Sequence, residues 1–252
     1  MLNYIRADYK RILTRVPRVI FLILFEIVFA GYVIHSWSKA AGNFTSVSLM
    51  NSASTFFAIW FNYTICLVDF VQGFNYDFRA KTIQVALGLG VSRLKVVMAK
   101  LIQLSLVILT DLAVTFVVLG GLSVFTGIYL NPQQFGYLLL NGLNCVVLVA
   151  CSAGLLMPLI FRTQSMVLAL IGFFILVPGF HTTAVRLAVR LAPEFVQRMQ
   201  PDQYFHDSCI NLTFTNAIQG TFQLWPLIGT IAWFAIGIYL TWLAFRKMEL
   251  DF

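Results

Sequence analysis

Asp77-Phe-Arg-Ala-Lys-Thr-Ile-Gln-Val-Ala-Leu-Gly-Leu-Gly-Val-Ser-Arg-Leu-Lys-Val-Val-Met-Ala-Lys100 is a charged interruption set between two long apolar runs. Its polar residues need water, while the chain on either side reads as helix embedded in hydrocarbon, so this stretch marks where the protein meets an aqueous compartment. The composition agrees. Of the 252 residues, 60% are hydrophobic and 11% charged, against roughly 25% charged in soluble domains. Mean hydropathy is +0.85. A soluble globule is excluded, and the apolar runs use up most of the length, leaving a single membrane domain over residues 1–252.

The net charge of +7 does not indicate nucleic acid, because the basic residues flank apolar runs instead of gathering on one face with interleaved aromatics. Cys66, Cys145, Cys151 and Cys209 show neither CxxC nor Cys/His metal spacing, and three of them lie within apolar runs. They read as small buried apolar side chains.

Six spans emerge at about 19–37, 53–75, 96–124, 136–160, 165–180 and 224–245, each near the roughly 20 residues that cross hydrocarbon. The third is longer than a minimal span and is expected to tilt or project into the cytoplasm. The fifth is short and meets Pro178-Gly179, a helix stop. Ahead of the first, residues 1–17 place Leu2, Ile5, Tyr9, Ile12, Leu13 and Val16 opposite Arg6, Lys10, Arg11 and Arg15. That pattern is an amphipathic basic helix suited to the headgroup layer. A signal peptide fits less well, since the apolar run is long, contains Glu26 and lacks a small-residue cleavage site.

With the N-terminus inside, thirteen Lys and Arg residues fall on inner segments and four (Lys39, Arg186, Arg190, Arg198) on outer ones, which sets both termini in the cytoplasm. The segment 181–223 then lies outside. Within it, residues 182–192 combine Val185, Leu187, Val189 and Leu191 with Arg186 and Arg190, a short amphipathic helix that stops before Pro193. Such a helix rests on the outer interface or re-enters the membrane partway. Trp225 and Pro226 mark entry to the last span.

Three carboxylates sit inside spans: Glu26, Asp69 and Asp111. A charge at helix centre costs on the order of 2.5–3.5 kcal/mol on insertion scales, so each is expected to face protein or water, and Asp69 is near enough to the cytoplasmic end to snorkel. Two roles are open to Asp111, the deepest: a substrate or proton site on a translocation path, or a carboxylate bonded to a polar or basic group on a neighbouring helix. Small residues cluster at Cys151-Ser-Ala-Gly154 and Gly120-Gly121, as close helix packing requires. Pro158 is expected to kink the fourth span.

No catalytic residues and no metal ligands are identified. GxxxxGK[ST] is absent, so the chain itself holds no ATPase site. Ser152 lacks a GxSxG frame and an obvious histidine partner. His35, His181 and His206 are scattered along the outer side without HExxH spacing.

Within the charged interruption, Phe78 to Leu87 is expected to form a stub helix with Ile83, Ala86 and Leu87 on one face and Arg79, Lys81 and Gln84 exposed. Gly88 and Gly90 punctuate it, and Ser92 is placed to cap the third span. The plainer alternative is a solvated turn. Lys81-Thr-Ile-Gln-Val-Ala-Leu-Gly-Leu-Gly-Val-Ser-Arg93, followed by Lys100, resembles the segment after the second span of ABC-2 type exporter permeases. The layout of interfacial helix, six spans, long outer segment and short cytoplasmic tail resembles that family over essentially the whole chain. Lys81 stands where many members have Gly, and Gly90 where many have Pro. This variant is more similar to the peptide-exporter and bacteriocin-immunity branch than to drug or polysaccharide exporters.

The resemblance implies a multi-pass protein of the bacterial inner membrane that pairs with a second permease copy or paralogue. Each permease docks a separate cytoplasmic ATPase, which binds the ATP and magnesium. The cytoplasmic segment 77–92 becomes a coupling helix with Phe78, Arg79, Lys81, Thr82, Ser92 and Arg93 as contacts. The exported substrate is an amphipathic peptide or lipophilic compound. Two other classes are carried beside it: an ATP-independent channel or ion-coupled transporter using Asp111 and Glu26, and a non-transporting immunity or scaffold protein.

Overall fold

Local sequence chemistry fixes where each helix starts and stops. In the computed structural model, described for residues 2–40, 42–79, 82–88, 90–163 and 165–246, with the side chains of 2, 75–79, 82, 84, 86, 195 and 196 left aside, the described chain is helical with short connections. Helix α1 spans Leu2–Leu13. Helix α2 (Val16–Lys39) carries Pro17 in its first turn, where a missing N–H costs nothing. Helix α3 (Ser46–Phe56) is capped by Thr45, whose hydroxyl accepts from the Ser48 amide at 3.3 Å. It passes through a π-helical segment, Phe57–Ile65, into α4 (Cys66–Arg79).

Helix α5 is short, Thr82–Gly88, and α6 runs from Arg93 to Thr126, ending at Gly127 with φ 70°. That left-handed residue after the last turn suits glycine. Helix α7 (Pro132–Thr163) opens with a reciprocal capping box: the Gln134 amide donates to Asn131 Oδ1 at 2.7 Å and the Asn131 amide to Gln134 Oε1 at 3.0 Å. Helices α8 (Met166–Leu176), α9 (Phe180–Arg190) and α10 (Glu194–Met199) follow. After a 3-10 turn at Pro201–Tyr204 come α11 (His206–Ile218) and α12 (Leu224–Arg246).

Among the described residues five helical stretches are long and apolar enough to cross a membrane, and a sixth is formed if α8 and α9, bent 49° to each other, are one broken span. The protein is therefore an all-helical, multi-pass membrane protein. Alternating chain direction gathers the starts of α2, α6 and α8 and the ends of α4, α7 and α12 at one end of the bundle, called here the basic end.

Several boundaries depart from expectation. Asp77 to Arg79 extend α4, so the stub helix begins at Thr82 and not Phe78. Ser92 takes the N-cap position, but its hydroxyl caps no amide. Helix α7 runs unbroken through Pro158, where a kink and not a stop is expected. The fifth span stops near Pro178-Gly179 as expected and then resumes as helix. The 181–223 segment contains, besides the amphipathic α9, the unexpected α11. The π segment, too, has no counterpart in the sequence reading.

Lipid tails are as apolar as leucine, so these helices associate through shape and polar contacts more than through water exclusion. Helices α7 and α12 meet at Gly154 and Gly237, where a Cβ on Gly237 would sit 2.9 Å from the Gly154 carbonyl carbon. Thr241 donates across the same crossing to the Gly154 carbonyl oxygen at 3.2 Å. On the α2–α3 side, phenyl rings fill the gap: Phe56 lies 4.7 Å from Phe29 and 5.1 Å from Phe25, and Phe57 lies 5.5 Å from Phe116. All four cysteines are buried and unbridged.

Gly237→Ala is therefore expected to destabilise the folded protein by about 1–3 kcal/mol, whereas Gly31→Ala, which meets open space, leaves stability unlowered. Thermal unfolding of the two variants in detergent checks the contrast.

Candidate functional site

The charged interruption that opens the sequence reading becomes a tight connection at the basic end. Helix α5 turns Ile83 inward, 6% exposed, and Leu87 packs on the same core. Gly90 follows with φ 83°. Arg93, at the first turn of α6, donates to the main-chain carbonyls of Phe245 and, at 2.7 Å, Arg246, and lies 5.4 Å over the Phe245 ring. It thereby ties the start of α6 to the end of α12. Ser92 is exposed. Lys81 and the side chains of Phe78, Arg79 and Thr82 lie outside the described residues.

Two of the three intramembrane carboxylates, Asp69 and Asp111, are brought together around one cation, Arg18, which the sequence pattern marks only as a topology signal. Arg18, in the first turn of α2, donates from Nε to Asp69 Oδ1 on α4 at 2.7 Å and from Nη2 to Asp111 Oδ1 on α6. All three side chains are buried, at 3%, 1% and 1% exposure. Asp69 is thus enclosed by helices and does not snorkel. The planar guanidinium fork is suited to bridging two carboxylates, as a lysine point charge is not.

Glu26, one face further along α2, accepts from the Thr115 hydroxyl of α6 at 2.6 Å. A second layer attaches α1. Lys100 of α6 pairs with Asp8 and donates to Gln103 Oε1 at 3.1 Å, while Tyr9 and Thr110 share a hydrogen bond of 2.6 Å.

At mid-span the π segment lines a polar hollow. A cavity of about 220 Å³ lies between the π segment, α7, the end of α8 and α11, with Asn62, Asn141, Asn144 and Asn211 around it. Asn144 donates to Asn211 Oδ1 at 2.8 Å. The Oδ1 atoms of Asn62 and Asn144 are buried without a protein partner, which leaves two acceptors for a guest or water. A larger cavity of about 640 Å³ reaches from Pro178 and Gly179 to Gln223 and Trp225 and shares Pro178 and Asn211 with the smaller one. The π segment places Phe57 and Phe61 in the core and still directs Asn62 to the hollow. Such wide turns recur at functional sites.

The break between α8 and α9 carries a second polar cluster. Gly179 has φ 69°, and any Cβ there would lie 2.4 Å from Asp207 Oδ2, so both backbone and space demand glycine. Asp207 sits in the first turn of α11, where a carboxylate is favoured by the helix dipole. It accepts from Thr182 at 2.6 Å and lies 3.4 Å from His181 Nε2. His181 stacks on His206 at 5.1 Å, and His206 Nε2 lies 3.1 Å from Ser152 Oγ.

Burial alone would raise the Asp207 carboxyl, but the hydrogen bonds from His181 and Thr182 outweigh it and hold it below the usual carboxylate range. Burial presses the His206 imidazole down to about 4, against the pull of Asp207. Ser152 thus has a histidine partner after all. Ser152 and His206 are 0% and 1% exposed, so the pair is sealed from any substrate. The two histidines are 25 residues apart, a spacing that matches no local ligand motif, and only the fold joins them.

No protein-family model matches the chain, and no curated protein is similar to it.

Removing Arg18 strands two buried carboxylates. Arg18→Leu is expected to cost about 3–5 kcal/mol, and Arg18→Lys to recover only part of it because the fork is lost. Thermal unfolding and size-exclusion profiles of the detergent-solubilised variants report the order.

Proposed function

We propose that the chain is the membrane-spanning subunit of an ATP-driven exporter, oriented with both termini in the cytoplasm of a bacterial inner membrane. It pairs with a second permease to enclose a path for an amphipathic peptide or lipophilic compound. A separate ABC ATPase docks on α5, α1 lies in the inner headgroup layer, and the chain itself hydrolyses nothing. The observation that carries this reading is the construction of the basic end. A short helix with one inward apolar face sits directly before the 34-residue α6, and the first residue of α6 grips the end of α12 through Arg93. A push on α5 is delivered to two membrane helices at once.

The mid-span hollow supports the peptide as substrate. Peptide bonds offer N–H donors, and the unpartnered Oδ1 atoms of Asn62 and Asn144 accept them. Gating without chemistry also suits a broken helix at Pro178-Gly179, since a discontinuous helix at membrane depth is tolerated where it lines a cavity.

The ion-coupled alternative assigns transport to Asp111 and Glu26. One observation favours it: Glu26 Oε2 is buried without a partner. Against it, Asp111 is held by Arg18 inside a three-helix contact.

The test is co-purification of the chain with a nucleotide-binding subunit from its native cells. Arg79→Glu combined with Lys81→Glu is expected to release that subunit while the permease keeps its thermal unfolding midpoint. An unchanged complex sinks the coupling assignment. Transport that survives ATP depletion, follows a proton gradient and vanishes in Asp111→Asn replaces the exporter reading with the ion-coupled one.

A further inference from the structure

We propose that His181, His206 and Asp207 bind one Zn²⁺ ion that staples the start of α9 to the start of α11. This assignment does not depend on the ATPase coupling and shares with the exporter reading only the break at Pro178-Gly179.

One ligand atom from each of the three residues lies within 4.8 Å of the others. Two ligands on a tetrahedral zinc at about 2.0–2.1 Å sit about 3.4 Å apart, so side-chain rotations that draw the three atoms together by up to about 1.4 Å close the site. The donor set of two imidazoles and a carboxylate matches zinc chemistry.

The surroundings supply what zinc-binding histidines need, a hydrogen bond that fixes the other ring nitrogen. His181 Nδ1 lies 3.3 Å from the Ile175 carbonyl oxygen. A carbonyl only accepts, so Nδ1 carries a proton in either state of the ring. Nε2 faces Asp207 Oδ1 at 3.4 Å, and Thr182 already gives its proton to that carboxylate. Without metal a second proton on Nε2 makes the hydrogen bond to Asp207; a zinc ion takes the place of that proton between the same two atoms. His206 is oriented in the same manner, with Nε2 engaged by Ser152 and the ring's other nitrogen left over.

Access and room are present. Asp207 and Thr182 line the 640 Å³ cavity that reaches the end of the bundle opposite the basic one, which gives the ion an entry path and a water for the fourth position. Gly179, lacking a Cβ, is what lets Asp207 approach. With the ion in place, the segment after the α8–α9 break is held from both sides, because its ligands come from α9 and α11.

The experiment uses the full chain in detergent, stripped with chelator and titrated with zinc chloride, then with cobalt chloride as a spectroscopic probe. The expected results are about one zinc per chain, a rise in the unfolding midpoint with zinc but not magnesium, and the visible absorption of low-coordinate cobalt. His181→Ala and Asp207→Asn are expected to weaken zinc binding by at least about tenfold. Ser152→Ala is expected to weaken it within the roughly 10–100-fold range of outer partners, and His35→Ala to leave it unchanged. Absence of a zinc-specific shift and of cobalt absorption in the unaltered protein overturns the proposal even if the variants fail to fold. So does zinc binding that His181→Ala and Asp207→Asn leave intact.

Discussion

A guanidinium buried among helices in hydrocarbon cannot fall back on water, and the carboxylates that satisfy Arg18 come from two different helices. Asp69 on α4 and Asp111 on α6 each take one edge of the fork, so α2, α4 and α6 have one mutual arrangement in which no charge is stranded. That constraint spreads outward. Once α6 is fixed, Lys100 and Thr110 are placed to receive Asp8 and Tyr9, and α1 docks along the bundle. Because lipid offers little hydrophobic driving force for helix association, this polar lattice supplies the specificity that a water-excluding core supplies in a soluble domain.

The other half of the bundle is held differently. Helices α7 and α12 approach through glycine and a threonine hydroxyl, leaving no space for adjustment, while α8, α9 and α11 surround polar cavities. One half is locked by ions and rings; the other combines a rigid pair with a broken helix. Motion confined to the second half leaves the Arg18 cluster intact, and at the basic end α12 is held both by Arg93 of α6 and by Phe161 of α7, whose ring stacks on Phe245 at 4.7 Å.

The long helices were readable because hydrocarbon imposes a minimum length and charges mark where it ends. Pro178-Gly179 and Pro193 announced their breaks, and the inward face of Ile83 and Leu87 followed from helical spacing. Glu26, Asp69 and Asp111 stand out in the sequence because a carboxylate in an apolar run is conspicuous. Arg18 does not, because a basic residue beside a span counts as a topology signal.

Helix α11 was hidden for the opposite reason. His-Asp-Ser-Cys-Ile-Asn-Leu-Thr-Phe-Thr-Asn mixes polar and apolar residues without a clean stripe, since polar His206, Asp207 and Asn216 are buried inside the protein alongside Cys209 and Ile210. The π segment is likewise illegible, because Phe57-Ala-Ile-Trp-Phe-Asn-Tyr-Thr-Ile65 fits an ordinary helix equally well. Contacts such as His181 with His206, or Asn144 with Asn211, join residues 25 and 67 apart, and local periodicity carries no information at that range.

The burial of the four cysteines has a practical side. Cys66, Cys145, Cys151 and Cys209 are at most 3% exposed, so the natural thiols are shielded from polar maleimides while the protein stays folded. A single cysteine introduced at an exposed loop position, such as Asn43 or Thr221, then becomes the dominant reactive handle. The native sequence is ready for sidedness mapping, fluorophore attachment and spin labelling without first being stripped of sulfur.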